Sequence, residues 1–399
     1  MSLFIFNFKI FNMPNDIKNN LTDSKFFLLY LKTVICFFFI LVLIVASVNY
    51  KTDPEKVYTN FFKIIKSKEL SSTDFTEKLI QSDNGIVMKN YIWNERDISY
   101  TLAGYPTDAE CAIFGNSSAT QISSFRQNKS LSKTCGSLIN LAVSGGALED
   151  YIAMTESIIQ NKNPPKTIII SISPWTLNLN RDPRWLYYKK NFTTMLNKII
   201  YNPNDVSKSF DKIESYNIKL IKNLLNLEYF MRSLELLTSK NDFAIELANE
   251  FNYNLGLEHV VLLPDGSTIL SNEYITTSLK HKIDGISGNQ NYKIIPGKWY
   301  SQNAIKILTK FVLYLKKNFK VVFIMVPSHP AVWNFSEQPV VTAMKIVEPK
   351  VHEIAKSLEI QVIGSFNPKK IGCTEEEFYD EMHPKDLCVS KLENVLLSY

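Results

Sequence analysis

The chain has 399 residues, of which 45% are apolar and 12% aromatic, enough to bury one large core or two smaller ones, so a globular protein is expected. Its 44 Lys and Arg stand against 39 Asp and Glu, a net charge of +5 spread along the chain. With no basic stripe to follow a phosphate backbone, nucleic acid is excluded as the expected partner.

Residues 1–27 form a polar tail. Residues 28–49 read as one transmembrane helix: Thr33 to Val48 carries no charge, and Phe26 to Leu31 extends the apolar run past Lys32, whose amine can snorkel to the interface. The long tail and the absence of a small-residue cleavage site favour a retained anchor over a removed signal peptide. Lys9, Lys18, Lys25 and Lys32 precede the span, while Lys51, Lys56, Lys63 and Lys66 follow it, diluted by Asp53 and Glu55, so charge does not set the orientation. Four of the five cysteines, Cys111, Cys135, Cys373 and Cys388, lie beyond the span, and an even number suits an oxidising compartment. The expectation is a single-pass protein of the inner (cytoplasmic) membrane with its large domain outside the cytoplasm. Three pairings are open to four cysteines, as is none. Cys111 and Cys135 sit near the starts of two strands predicted to be neighbours, and Cys373 and Cys388 bracket a short loop.

Residues 50–106 read as a charged, mostly helical stalk or cap, with Phe61, Phe62, Ile64 and Ile65 as a core stripe. From residue 107 to 399 short β-branched runs alternate with helical ones, the pattern of βαβ units: an α/β domain with a parallel five-stranded sheet. The strands are Cys111 to Phe114, Leu138 to Val143, Thr167 to Ile172, Val321 to Val326 and Ile360 to Ile363. Helices are predicted at Ala147 to Gln160 and Ala304 to Lys317. An insertion of about 176–300 interrupts the alternation, with helical stretches Trp185 to Ile200 and Ile213 to Leu237 and a hairpin turning at Asp265-Gly266.

Ligands of open α/β sheets bind beyond the carboxyl ends of the strands, which is where Ser117 follows the first strand. Gly115 allows a tight turn there, and a helix from about Ala119 would aim its amides at the site. His383 follows the last strand and returns to the same edge, with Asp380 three residues earlier in reach of its Nδ1. The plainer alternatives are a capping serine, a turn aspartate and a capping histidine before Pro384. His329 also follows a strand, without a carboxylate nearby in sequence, and reads as a pocket wall with Trp175, whereas His259, His281 and His352 are isolated. No spacing suits metal ligands and no Gly-rich loop suits a phosphate, so neither a metal nor another cofactor is expected.

Gly115-Asn116-Ser117, the run Asn140 to Gly146, and Asp380-x-x-His383 together resemble the SGNH (GDSL-like) hydrolase superfamily over about residues 107–399. The resemblance implies a three-layer, flavodoxin-like domain in which Ser117 is the nucleophile, His383 the base, Asp380 its orienting acid and Gly145 an oxyanion donor. Where that family has an oxyanion Asn, this chain reads Ser171-Ile172-Ser173, leaving Ser173 as the replacement donor. The layout is similar to membrane-anchored relatives such as the alginate O-acetylation proteins and the D-alanyl-lipoteichoic acid transfer protein. It implies an extracytoplasmic esterase or O-acyltransferase, an acylated glycan or polymer as substrate, and an acyl-donor membrane protein as partner. The alternative is a catalytically inactive, membrane-tethered polymer-binding or assembly protein.

Overall fold

The structure is a computed structural model that describes residues 24–52, 71–88, 95–179, 182–200, 224–238, 246–248, 260–270 and 297–399. The expected stripe from Phe61 to Ile65, His259, His281 and the first part of the expected helix from Ile213 lie outside these residues. Helices of eight residues or more are α1 (Ser24–Thr52), α2 (Ser72–Gln81), α3 (Glu95–Gly104), α4 (Leu148–Gln160), α5 (Lys189–Ile199), α6 (Leu227–Thr238), α7 (Gln302–Leu315) and α8 (Pro339–Leu358). The strands are β1 (Ile86–Met88), β2 (Cys111–Phe114), β3 (Leu138–Asn140), β4 (Thr167–Ser171), β5 (Glu246–Leu247), β6 (Val260–Leu262), β7 (Thr268–Leu270), β8 (Lys320–Met325), β9 (Gln361–Gly364) and β10 (Leu396–Leu397).

The chain divides into two compact units, Met1–Pro54 with Asn217–Ser239, and the remainder. The first contains α1 and α6. Residues Leu28–Thr52 of α1 are long and apolar enough to cross a membrane, and Phe37, Phe38, Phe39 and Leu43 are 60 to 64% exposed along it. The second unit is mixed α/β and is built on a six-stranded sheet in the order β10-β9-β8-β4-β2-β3. Its first five strands in chain order run parallel, as expected, and β10 adds an antiparallel edge. The parallel order is thus second, first, third, fourth, fifth, which opens a crevice between β2 and β4 where the winding reverses.

Because successive strand residues face opposite ways, the sheet builds two cores. Ala112, Phe114, Ile168, Ile170, Phe323 and Val362 meet Tyr151 of α4, Phe192 of α5, Phe311 of α7 and Val347 of α8. Ile113, Ile169, Val322, Ile324 and Ile363 meet Ile122, Leu131, Ile371, Phe378 and Leu392 from segments without a long helix. Right-handed crossovers account for the asymmetry: only the β2 to β3 connection moves along the sheet in the direction that lays it on this second face. The thin layer is stapled by both disulfides, Cys111–Cys135 and Cys373–Cys388.

One expectation is corrected here. After β2 there is no helix from about Ala119; Ser117–Ala119 makes a single 3₁₀ turn, and irregular chain follows. Side chains take over the backbone groups a helix would have used, since Asn140 Nδ2 donates to the Ala119 and Ile122 carbonyls, both at 2.8 Å, and the Asp265 carboxylate accepts from Ser124 N.

Residues 72–104, expected within a stalk or cap, supply α2, β1 and α3. Strand β1 joins the insertion's strands in a second, antiparallel sheet ordered β5-β1-β6-β7. The β6/β7 hairpin turns at Asp265-Gly266 as predicted. Gly266 is required twice over, by a φ of +82° and because an added Cβ would lie 2.4 Å from the Asn140 carbonyl oxygen.

Candidate active site

One side chain links the chain after β2 to the chain after β4. Asn116 Nδ2 donates to Ser173 Oγ at 2.6 Å, while Asn116 Oδ1 accepts from Ser118 N at 3.1 Å and Ser118 Oγ at 2.7 Å. All three residues are buried, and the half-buried Ser117 is held between them at the start of the 3₁₀ turn. Ser117 engages through its carbonyl, which accepts from Thr120 N and Thr120 Oγ1. Among the described residues its hydroxyl and its amide make no hydrogen bond. Ser173 Oγ is spent as an acceptor on Asn116, which leaves its hydroxyl one proton to donate.

The imidazole comes from the other end of the chain. Asp380 is buried and organises its own turn, Oδ1 accepting from Met382 N at 2.8 Å and His383 N at 2.9 Å. Its Oδ2 lies 2.6 Å from His383 Nδ1. A carboxylate only accepts, so Nδ1 carries the proton and, in the neutral ring, Nε2 carries the lone pair. The His383 side chain keeps 23% exposure against 3% for Asp380, so the ring can be reached while its partner is shielded.

His329 anchors this loop to the sheet. It is 1% exposed, its N–H donates to the Glu381 carbonyl at 2.9 Å, its Nδ1 accepts from Ala331 N at 3.0 Å, and its ring packs edge-on against Phe378. Since His329 follows β8, the contact fixes the His383 loop at the carboxyl edge of the sheet, the edge that carries Ser117. One further bond ties the serine's downstream segment to the histidine loop, Asn128 Nδ2 to Asp386 Oδ2 at 2.9 Å. Burial pushes the pKa of the Tyr379 phenol up, against the lowering effect of Arg126. The structure therefore joins Asp380 to His383 directly and brings Ser117 to the same edge without a hydrogen bond to the ring. Trp175 sits half-buried in the turn after β4, its carbonyl accepting from Asn178 N.

Gly145 lies in a left-handed turn with φ +63°, next to Gly146, whose added Cβ would fall 2.3 Å from the Gly115 carbonyl oxygen. The run from Asn140 thus stacks on the serine turn. The Ser144 carbonyl accepts from two guanidiniums, Arg184 Nη2 at 2.8 Å and Arg96 Nη2 at 3.1 Å. In a planar trans peptide the Gly145 N–H points the opposite way, away from both arginines, and it donates to no acceptor among the described residues. Arg96 is buried against Asp150, with Nε to Oδ1 at 2.8 Å, and the half-buried Arg184 pairs with Asp182, with Nη2 to Oδ2 at 2.6 Å. Burial alone would raise the Asp182 pKa, but the hydrogen bonds and charge of Arg184, with the charge of Arg96, hold it below the ordinary value.

Sequence reading gave no role to Asn116, Arg96, Arg184, Asp150 or Asp182. Asn116 carried a local signal in its place beside Ser117. The arginines carried none, since each meets the Ser144 carbonyl across at least 40 residues of chain.

Cys373, Glu377 and Cys388 lie close enough together to suggest a metal site, but the two sulfurs are bonded to each other and offer no thiolate. No protein-family model matches the sequence. No curated protein matches it either.

Proposed function

We propose that this protein is a membrane-anchored, extracytoplasmic serine acyl-transfer enzyme of the SGNH type, an esterase or O-acyltransferase acting on an acylated envelope glycan or related polymer. The observation that carries the reading is the Asp380–His383 pair, Oδ2 to Nδ1 at 2.6 Å, on the sheet edge that carries the half-buried Ser117. In this mechanism His383 Nε2 takes the Ser117 proton as Oγ bonds to the ester carbonyl carbon, and the carbonyl π electrons move to oxygen. The tetrahedral oxyanion is met by the Ser117 and Gly145 amides. Collapse expels the alcohol, which leaves with the proton held by His383, and the acyl group stays on Ser117. Water or a sugar hydroxyl then gives its proton to His383, attacks the acyl-enzyme and releases Ser117.

Nucleophile–base hydrogen bonds are commonly loose before substrate binds, which is consistent with a Ser117 hydroxyl not yet bonded to the imidazole. The oxyanion hole here rests on backbone amides, with Ser173 orienting Asn116, in place of the asparagine donor of the resembled family. The two disulfides support an oxidising compartment, and α1 supports a single-pass anchor in the inner (cytoplasmic) membrane. A second reading, a tethered polymer-binding module without turnover, draws on the altered third block and the long insertion. Covalent capture of Ser117 by a fluorophosphonate separates the two.

A further inference from the structure

Helix α1 does not run alone. Val42, Val45, Ala46 and Asn49, spaced as one helical face, are partly or fully covered, whereas Phe37, Phe38, Phe39 and Leu43 are open. Helix α6 packs against α1. The contact has a polar clamp. Asn49 is fully buried, its Nδ2 donating to the Leu224 carbonyl at 2.8 Å and to that of Asn226 at 3.3 Å, and its Oδ1 accepting from Ser233 Oγ at 3.1 Å. Of these partners Ser233 lies on α6 and Leu224 and Asn226 lie in the chain leading into it, so the buried amide ties α1 to that segment, as polar side chains join helices where water is absent.

The covered face from Val42 to Asn49 occupies about 10 Å of helix axis at about 1.5 Å per residue. It belongs to the uncharged run between Lys32 and Lys51, which is close to the ~20 residues a hydrocarbon core requires. An element lying alongside that stretch shares its depth. While Tyr229 and Ser233 are buried, Leu227, Met231 and Leu237 of α6 are 69, 52 and 55% exposed, and Leu225 just before it is 50% exposed. Apolar side chains so open, on a helix packed against one long and apolar enough to cross a membrane, fit acyl chains as their occupant.

We propose that α6 is a second membrane element, embedded beside the exit half of α1 with Leu227, Met231 and Leu237 in contact with lipid acyl chains. The anchor is then a two-helix hairpin-like wedge clamped at Asn49. The proposal rests on α1 crossing a membrane, not on the catalytic reading.

The test uses the full chain with Cys36→Ser, reconstituted in phosphatidylcholine vesicles, and an environment-sensitive NBD label on one introduced cysteine at a time: Met231→Cys, Leu227→Cys, Phe39→Cys in the span, and the exposed Lys356→Cys as a water control. Labels at Met231 and Leu227 are expected to shift to the blue and lose emission to doxyl-labelled lipids, as the label at Phe39 does, while Lys356 responds to neither. Water-like emission at Met231 and Leu227 with quenching at Phe39 overturns the proposal. So does a blue shift without lipid quenching, the sign of a second copy or another protein on this face. A failure to quench at Phe39 overturns the membrane reading itself, and with it the proposal.

Discussion

At the residue scale the site depends on one peptide plane. Two guanidiniums on the Ser144 carbonyl fix the direction of the Gly145 N–H, and they differ in how they can be tested. Arg96 is buried with Asp150, so its removal strands a buried carboxylate and costs about 3–5 kcal/mol. Arg184 is 29% exposed and its partner Asp182 16%, so its replacement strands a carboxylate that solvent still reaches, at a smaller cost. Arg184→Gln is predicted to lower kcat for ester turnover roughly tenfold with KM nearly unchanged, short of the ~10²–10³ for outright loss of an oxyanion donor. Arg184→Lys should recover only part of the loss, because an ammonium cannot hold Ser144 and Asp182 in one plane. An unchanged kcat in Arg184→Gln would remove the peptide-orienting role. The Asp380–His383 contact was legible because three residues of spacing suffice to make it. Asn116 to Ser173 and the two arginines to Ser144 were not, because long-range partners leave no local pattern.

At the element scale, the sheet's two faces are built differently. Helices α4, α5, α7 and α8 cover one, and irregular chain with two disulfides covers the other. All five parallel strands were readable as β-branched runs, since strands buried on both faces must be apolar throughout. The missing helix after β2 was misread because Gly115 and Ser117 look like a strand-to-helix turn. The residues that divert the backbone, Asn140 and Asp265, come later in the chain. Strands β1, β5 and β10 are too short to carry a pattern of their own. The Cys373–Cys388 bridge closes 15 residues around Asp380 and His383. Replacing both cysteines by serine is predicted to cost about 3 kcal/mol, by the chain-entropy account of a loop of that length. It should also lower kcat more than the equivalent change at Cys111 and Cys135, which brace the other side of the same face. Denaturation midpoints and ester turnover of the two double variants, in detergent, check this; equal losses of kcat would deny the loop its role.

At the scale of the whole molecule, His329 couples the sheet to the loop of Asp380 and His383 and gives the fold a pH dependence. Burial lowers its pKa below the ordinary value, and the opposing charges of Glu375, Asp380 and Glu381 do not reverse it. The unfolded chain then takes up this proton near pH ~6.5 and the folded one only at lower pH. Between those limits the unfolded state binds more protons. Stability is therefore complete above about pH 6.5 and falls as the pH drops through the window, by at most about 1.4 kcal/mol per pH unit for one proton. His352, also lowered by burial, adds in the same direction. Urea denaturation of the full chain in detergent should show this slope, and His329→Gln should flatten it; an unaltered slope would place the titration elsewhere.

The central claim is that Ser117 is a nucleophile served by His383. Intact-mass measurement after exposure to a fluorophosphonate tests it most directly: the account predicts a single adduct, localised to Ser117, absent in Ser117→Ala and formed far more slowly in His383→Gln. A folded wild-type protein that takes no adduct, or a Ser117→Ala protein that takes the same one, would contradict it.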